Sequence, residues 1–337
     1  MKLIKKLSCC FFAFSLSLFT ISSIFAPLSA YFNRTVCQFV REVLALLSSS
    51  VSFSIFEGAV LLSPFFIIIV FMVIFKSKKS ISKQFFAFAS LFLIVPSLYF
   101  LTIGISYKTP SPFMAPNNVN KDRLIYSAEI LAKNISDIPC GEDSLPDMTE
   151  LCDELARSYH SFCDVHGYYG KTFPRPKRIV FSKALSRMGT LAFYSFLTGE
   201  ININTEIPDY TVPFTVAHEY AHYVGISSER DANFMAFLAC INCDDRYVRY
   251  SGMLSGLEYL LSDIYKADSK AYTDILLRLS ERAISDMALY RDYSNKYENG
   301  LVFEALDSLN SAHLDIWDAG GKYSYSGVSR LIVAYIN

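Results

Sequence analysis

Charged residues are scarce in the first third of the chain. Residues 1–106 carry nine Lys or Arg and two Glu, whereas the remainder carries 22 basic and 30 acidic residues. The formal net charge of -1 is therefore the sum of a +7 segment and a -8 segment. So few charges exclude a uniformly water-soluble globule. The acidic remainder also argues against nucleic-acid binding, because it would repel phosphate.

Three uncharged runs in this first segment are expected to be transmembrane helices. They cover about residues 7–30, 59–75 and 85–105. A spanning helix needs about 20 apolar residues, with about 17 as the lower limit, so all three runs qualify. The first run could instead be a cleaved signal peptide. Its long apolar stretch, and Leu28 where such a cleavage site requires a small residue, favour its retention.

The lysines predict the topology. Three of them precede the first run, and four lie in the short loop 76–83. Because short cytoplasmic loops are enriched in Lys and Arg, both regions are expected to be cytoplasmic. The chain is thus predicted to be a multi-pass protein of the cell membrane, with the bilayer as a partner and residues after 106 outside the cytoplasm. Residues 36–56 mix apolar residues with Arg41 and Glu42 and are expected to form an interfacial helix or an extracytoplasmic cover.

The polar two-thirds is predicted to be one α+β domain that is mostly α. Residues 107–120, rich in Pro and Asn, are expected to form a linker, and residues 121–337 the domain. Helical periodicity covers 122–135, 148–165, 245–266, 269–290, 300–314 and 328–336. Strand patterns cover 178–181, 190–197 and 200–204, which predicts a small sheet ahead of a helical remainder.

Histidine is also scarce, and two of the five His residues form one motif. His218, Glu219 and His222 stand in an H-E-x-x-H arrangement within TVAHEYAHYV. On a helix, residues four apart share a face, so both imidazoles can bind one metal ion with Glu219 beside them. The surrounding residues are uncharged, and two His and a Glu would be costly to bury there without a purpose. The pattern predicts a catalytic zinc site with Glu219 as the general base.

A catalytic zinc needs a third protein ligand, and the nearest downstream carboxylates are Glu229 and Asp231. If the helix continued, Glu229 would lie about 10 Å along the axis from the metal. The chain is therefore expected to turn at Gly225 in a left-handed conformation, and a second helix is expected to begin near Glu229, capped by Ser227 or Ser228. We favour Glu229 over Asp231 because it has the longer reach and places Asn233 one turn later as an outer partner.

The segment from His218 to Cys240 (HEYAHYVGISSERDANFMAFLAC) resembles the signature of an uncharacterised bacterial membrane family, a domain of unknown function with zincin-like features. The resemblance extends to 51–58, 196–204, 213–215 and 324–335, so it covers nearly the whole chain. It implies three N-terminal spans followed by a zincin-like metallopeptidase fold, and no particular substrate. This sequence departs from the pattern at Asp231, where Glu is expected, and at Arg330, where an acidic residue is expected.

The chemistry predicts a membrane-anchored zinc metallopeptidase whose partner is a peptide or protein substrate. Tyr325, within the downstream part of the resemblance, is expected to donate to the developing oxyanion, with His313 as the weaker alternative. Residues 200–204 could offer a sheet edge to the substrate or be an ordinary strand. The alternative function is a catalytically inactive, metal-binding membrane scaffold or sensor. An intramembrane protease is disfavoured by the polar residues that flank the motif.

Overall fold

The computed structural model describes residues 2–76, 89–90, 92–138, 144–168, 170–297 and 324–337. Most of these residues are helical. The helices before residue 108 are α1 (Lys2–Ile24), α2 (Ala26–Phe32), α3 (Gln38–Ser48), α4 (Ile55–Lys76), α5 (Ile94–Tyr99) and α6 (Ile105–Tyr107). Two π-helical turns, Asn33–Cys37 and Phe100–Gly104, join α2 to α3 and α5 to α6.

Two of these helices are long and apolar enough to cross a membrane. They are Lys5–Ile24 within α1 and Ile55–Val73 within α4, and they correspond to the first two predicted spans. The third predicted span lies partly outside the described residues. Its described part forms the shorter apolar helix Ile94–Tyr107, so this third span stays a prediction.

The polar part is built from helices around a small sheet. Its helices are α7 (Lys121–Asp137), α8 (Met148–His166), α9 (Ser182–Arg187), α10 (Val212–Tyr223), α11 (Glu229–Ile241), α12 (Arg246–Ala267), α13 (Ser269–Leu276), α14 (Glu281–Tyr297) and α15 (Ser324–Ile336). Its strands are β1 (Lys177–Arg178), β2 (Ala192–Tyr194) and β3 (Ile201–Ile203). Helices α10, α11 and α12 pack side by side in the centre, and α8 and α15 flank them.

Side-chain caps explain several helix boundaries. Asp147 accepts from the Thr149 N–H at the start of α8, and Gly167, with φ of 68°, ends that helix in the left-handed conformation. The single helix predicted over 269–290 is wrong. The structure has two helices there, because Asp268 caps α13 and the Ser280 hydroxyl accepts from the Ala283 N–H to start α14. The helix predicted over 300–314 lies outside the described residues.

The sheet has the order β1-β3-β2, so β3 is its central strand. It pairs in parallel with β1 and antiparallel with β2. The idea that residues 200–204 offer an open sheet edge is therefore wrong, because both sides of β3 are already hydrogen-bonded. The edge strand beside α10 is β2, which packs directly on that helix. Strand order depends on long-range pairing, which the alternation within one strand does not encode.

The segment between α1 and α4 is packed onto the polar part. Glu200, next to β3, accepts from the N–H groups of Ile55 and Phe56, each at 2.9 Å, and so caps the N-terminus of α4. Lys177 donates to the same buried carboxylate at 2.6 Å and to the Ser48 carbonyl at 2.7 Å. Residues 108–120, which have no helix or strand, separate two parts of the sequence that the tertiary structure brings together.

Candidate metal centre

The H-E-x-x-H residues lie on α10, a helix that is buried on most of its circumference. Val216, Ala217, Tyr220 and Ala221 are fully buried on one side. Pro213 sits in the first turn, where it needs no hydrogen-bond acceptor. His218 and His222 occupy the half-buried side, with their rings in an edge contact at 4.6 Å between centroids. The helix thus presents both imidazoles at one partly accessible position.

The chain reverses direction directly after this helix. Helix α10 ends at Tyr223, Gly225 adopts φ of +93°, and the Ile226 N–H donates to the Ala221 carbonyl at 2.9 Å. Helix α11 then begins at Glu229, as the sequence predicts. Ser228 occupies its N-cap position without a side-chain hydrogen bond, and the Ser227 hydroxyl instead bonds to that of Ser106. The turn brings Glu229 back over the two histidines.

Three potential ligands converge at this point. Glu229 Oε2 lies 3.2 Å from His218 Nε2, and Glu229 Oε1 lies 3.5 Å from His222 Nε2. One ligand atom from each of the three residues lies within 4.8 Å of the others. Ligand atoms that are 2.0–2.1 Å from a tetrahedral zinc ion are about 3.3 Å apart, so the spacing suits such an ion. Two imidazoles and one carboxylate are also a donor set that catalytic zinc sites use.

The outer nitrogens of both histidines are already engaged. His218 Nδ1 lies 2.8 Å from Asn233 Oδ1, and His222 Nδ1 lies 2.9 Å from the Ile226 carbonyl. A carbonyl oxygen only accepts, so His222 Nδ1 must carry the proton; the amide orientation of Asn233 gives the same role to His218 Nδ1. In the neutral rings the Nε2 lone pairs then face Glu229. This is the arrangement in which histidine binds a metal and an outer partner fixes the ring.

The charges of the cluster act strongly on one another. Burial lowers the pKa of His222, but the negative charges of Glu229 and Glu219 outweigh it and raise that pKa to about 9. Burial raises the pKa of Glu229, but the two histidines outweigh it and hold that pKa well below its ordinary value. Without a cation the cluster therefore retains a proton on an imidazole, and a cation would displace it.

Glu219 is buried beside the two histidines. Its pKa is raised because burial disfavours the charged carboxylate. The backbone N–H of Tyr194, at the end of β2, acts in the opposite direction on this pKa and favours the charged carboxylate, while Glu219 Oε2 has no hydrogen-bond partner among the described residues. A buried carboxylate oxygen without a hydrogen-bond partner is unusual in proteins and indicates a function, such as exchanging a proton with a bound molecule.

The other predicted residues are placed as follows. Asp231 is not part of the three-residue cluster; it pairs with Arg230, at 2.7 Å from Nε to Oδ1. Tyr325 lies in the first turn of α15, but its side chain is outside the described part of the structure, as is His313.

Sequence reasoning missed a polar group on the side of the turn that faces α3. Asn33 Nδ2 donates to the Gly225 carbonyl at 2.8 Å, and Arg41 Nη2 donates to Asn33 Oδ1 at 3.0 Å. Arg41 also donates to the Thr102 carbonyl at 2.8 Å, within the second π-helical turn. These four groups, two side chains and two carbonyls, all belong to buried residues. They lie at or near residues 224–228, the loop between α10 and α11 that we call the metal-binding loop after its proposed role. An Arg in an apolar stretch between two predicted spans was the available signal.

Comparison with known proteins identifies a family over most of the chain. A family profile described as "Protein of unknown function (DUF3810)" matches residues 32–333. No curated protein and no solved structure matches the chain. The matched region includes α3, α4 and the whole His218, His222 and Glu229 cluster.

Proposed function

The chain belongs to this family of unknown function, DUF3810, and we propose that it is a membrane-anchored zinc metallopeptidase with a zincin-like domain. The observation that carries the proposal is the convergence of His218, His222 and Glu229 within 4.8 Å of one another, with the buried Glu219 beside them. Two neutral imidazoles and one carboxylate leave a fourth position of a tetrahedral ion open, as catalytic zinc requires.

A zinc ion held by these three residues would supply a Lewis acid that activates water and polarises the scissile carbonyl. Glu219 would accept the proton of the attacking water and deliver it to the leaving nitrogen. The raised pKa of Glu219 suits both steps, because a carboxyl that takes up a proton readily can also hold it until the amine leaves. Tyr325 remains our proposed donor to the oxyanion.

The substrate would bind along β2. This strand lies at the sheet edge and on α10, and the backbone N–H of its last residue, Tyr194, lowers the pKa of the Glu219 carboxyl. An extended peptide that pairs with a free strand edge gains backbone hydrogen bonds and orders its scissile bond beside the site. This proposal replaces the central strand β3, which has no free edge.

Membrane anchoring rests on α1 and α4, the two helices with the length and apolar composition of spans. The lysines in the first turns of α1 and those in the loop 76–83, which starts at the last residue of α4, favour a cytoplasmic location for both of those ends. With the predicted third span over residues 85–105 following that cytoplasmic end, the domain that carries the metal centre would lie on the extracytoplasmic side.

The full chain in lipid nanodiscs is the material for the test, because the metal-binding loop contacts Asn33 and Ser106. Zinc content would be measured together with cleavage of a peptide library, for the wild type and for Glu219→Gln. Both proteins should bind one zinc, and only the wild type should cleave.

Two further variants separate the third ligand from its neighbour. Glu229→Gln should lose zinc, whereas Asp231→Asn should keep it. Cleavage by Glu219→Gln at the wild-type rate would refute the proposed mechanism. Zinc binding without cleavage by either protein would favour a metal-binding scaffold or sensor.

A further inference from the structure

Helix α3 exposes its apolar face and buries its polar face, the opposite of an amphipathic helix in a water-soluble protein. Its large apolar residues Phe39, Val43, Leu46 and Leu47 are 67%, 38%, 74% and 66% exposed. Their spacing of four, three and one residues places them on one face. The opposite face buries Gln38, Arg41 and Ser48 against the protein. A contiguous exposed apolar face opposite a buried polar face marks a surface that is made for a partner other than water.

The charges of this segment confirm which side faces the protein. Between α1 and the first turn of α4 the chain has four charged residues, and each contacts the protein interior or the polar domain. Glu42 accepts from the Lys171 N–H at 3.0 Å, and Glu57 accepts from the Phe181 N–H at 2.9 Å. The Arg34 guanidinium lies 4.6 Å from the centre of the Tyr168 ring, and Arg41 is fully buried. No charged group of this segment is therefore left to solvate its outer face.

The position of the segment in the chain indicates the partner. The candidate spans end at Ile24 and begin again at Ile55, so residues 25–54 must start and finish at the same membrane surface. Exposed apolar residues continue beyond α3, at Phe53 and then along α4, for example at Leu62. The apolar face of α3 is thus continuous with a helix face that is expected to contact lipid.

We propose that α3 is a bilayer-docking surface that lies in the interfacial layer, with its apolar face against the acyl chains. The proposal rests on the membrane anchoring of the proposed function and not on its peptidase activity. Burial of several large apolar side chains at about 1.5–3 kcal/mol each would hold the helix there. Because Asn33, next to α3, is bonded to Gly225, docking places the metal-binding loop directly over the bilayer surface.

Tryptophan fluorescence in nanodiscs tests this surface without requiring metal or activity. The chain has one Trp, so a Trp317→Phe background allows single tryptophans to be introduced. Leu46→Trp and Phe39→Trp report on the apolar face of α3, and Leu62→Trp reports on α4. Leu277→Trp is the matched control, since Leu277 is an equally exposed apolar residue (79%) in the polar domain. Emission is compared between dioleoylphosphatidylcholine and its dibrominated form, and then with aqueous iodide.

The brominated lipid should remove most of the emission at positions 46, 39 and 62 and leave position 277 unchanged, whereas iodide should quench only position 277. Quenching at 62 with none at 46 and 39 would overturn the proposal while leaving membrane anchoring intact. Shielding of 46 and 39 from both quenchers would mean a protein partner and would also overturn it. Absence of lipid quenching at all four positions would refute the anchoring itself.

Discussion

Gly225→Ala should damage both the fold and the metal centre, and Gly199→Ala should damage the fold alone. Gly225 has φ of +93°, and a Cβ at this residue would lie 2.4 Å from Asn33 Oδ1 and 2.5 Å from Arg41 Nη2. Gly199 has φ of +70°, and its Cβ would lie 2.4 Å from the Ala45 backbone nitrogen. Both glycines have positive φ and pack against the segment between α1 and α4, Gly225 against side-chain atoms and Gly199 against the backbone of α3. Only Gly225 belongs to the metal-binding loop.

The expected magnitude follows from two terms. A side chain at positive φ costs about 1–2 kcal/mol, and forcing an extra methyl group into a packed site costs about 1–3 kcal/mol. Each variant should therefore lose about 2–5 kcal/mol of stability. In Gly225→Ala the loop must also shift, which moves the Ile226 carbonyl away from His222 Nδ1, now at 2.9 Å. Loss of such an outer partner typically weakens metal binding by about 10- to 100-fold.

The assay is thermal unfolding of the full chain in nanodiscs, combined with a zinc titration against a competing chelator. Both variants should unfold earlier than the wild type, and zinc affinity should fall in Gly225→Ala only. Equal zinc affinities for the two variants would refute the role of the loop in holding His222. A Gly225→Ala protein as stable as the wild type would refute the close packing of Asn33 and Arg41 on that loop.

Three further predictions concern other residues. Asn233→Ala should weaken zinc binding by about 10- to 100-fold while zinc still binds, because His218 loses the acceptor of its Nδ1 proton; a chelator titration that shows no change would contradict this. Glu258→Gln should stabilise the protein at high pH, since burial raises the pKa of Glu258 to about 7 from 4.5. Between pH 4.5 and about pH 7 the Glu258 carboxyl stays protonated in the folded state and loses its proton in the unfolded state. The loss of folding free energy caused by Glu258 is therefore absent below pH 4.5, grows up to about pH 7, and reaches about 3 kcal/mol above that. Thermal unfolding at pH 4.5 and 8 should accordingly show a gain for Glu258→Gln at pH 8 only. Glu200→Gln should cost about 3–5 kcal/mol at pH 7, because Lys177 is then left as a buried charge without its partner; chemical unfolding should show this loss, and the double variant with Lys177→Met should recover most of it.

The parts of the fold that local pattern encodes were predictable. Apolar length alone located the helices Lys5–Ile24 and Ile55–Val73. Helical periodicity located α7, α8 and α12 within a few residues. Their first residues were predictable because each helix begins after a capping Asn or Asp. The pair α13 and α14 was misread as one helix, since the break between them carries neither Gly nor Pro and depends on the Ser280 hydroxyl. The sequence did not show which face of α3 packs on the protein. Local pattern assigns polar residues to the exposed face, whereas α3 buries its polar residues.

The sequence by itself determined the core of the candidate centre. His218 and His222 are four residues apart on a helix, so backbone geometry places both imidazoles on one side whatever the rest of the chain does. Gly225 likewise predicted the turn, because a left-handed backbone conformation strongly favours a residue without a side chain. The structure has Gly225 at φ of +93°.

Only the tertiary structure decided which groups meet these residues. Glu229 rather than Asp231 lies over the histidines because of how α11 packs on α10. The strand next to Glu219 is β2 rather than β3 because long-range pairing placed β3 in the centre. Asn33, nearly 200 residues upstream, bonds to Gly225 because the π-helical turn before α3 packs against the metal-binding loop. Such contacts form between distant parts of the chain through packing and burial, and no local spacing specifies them.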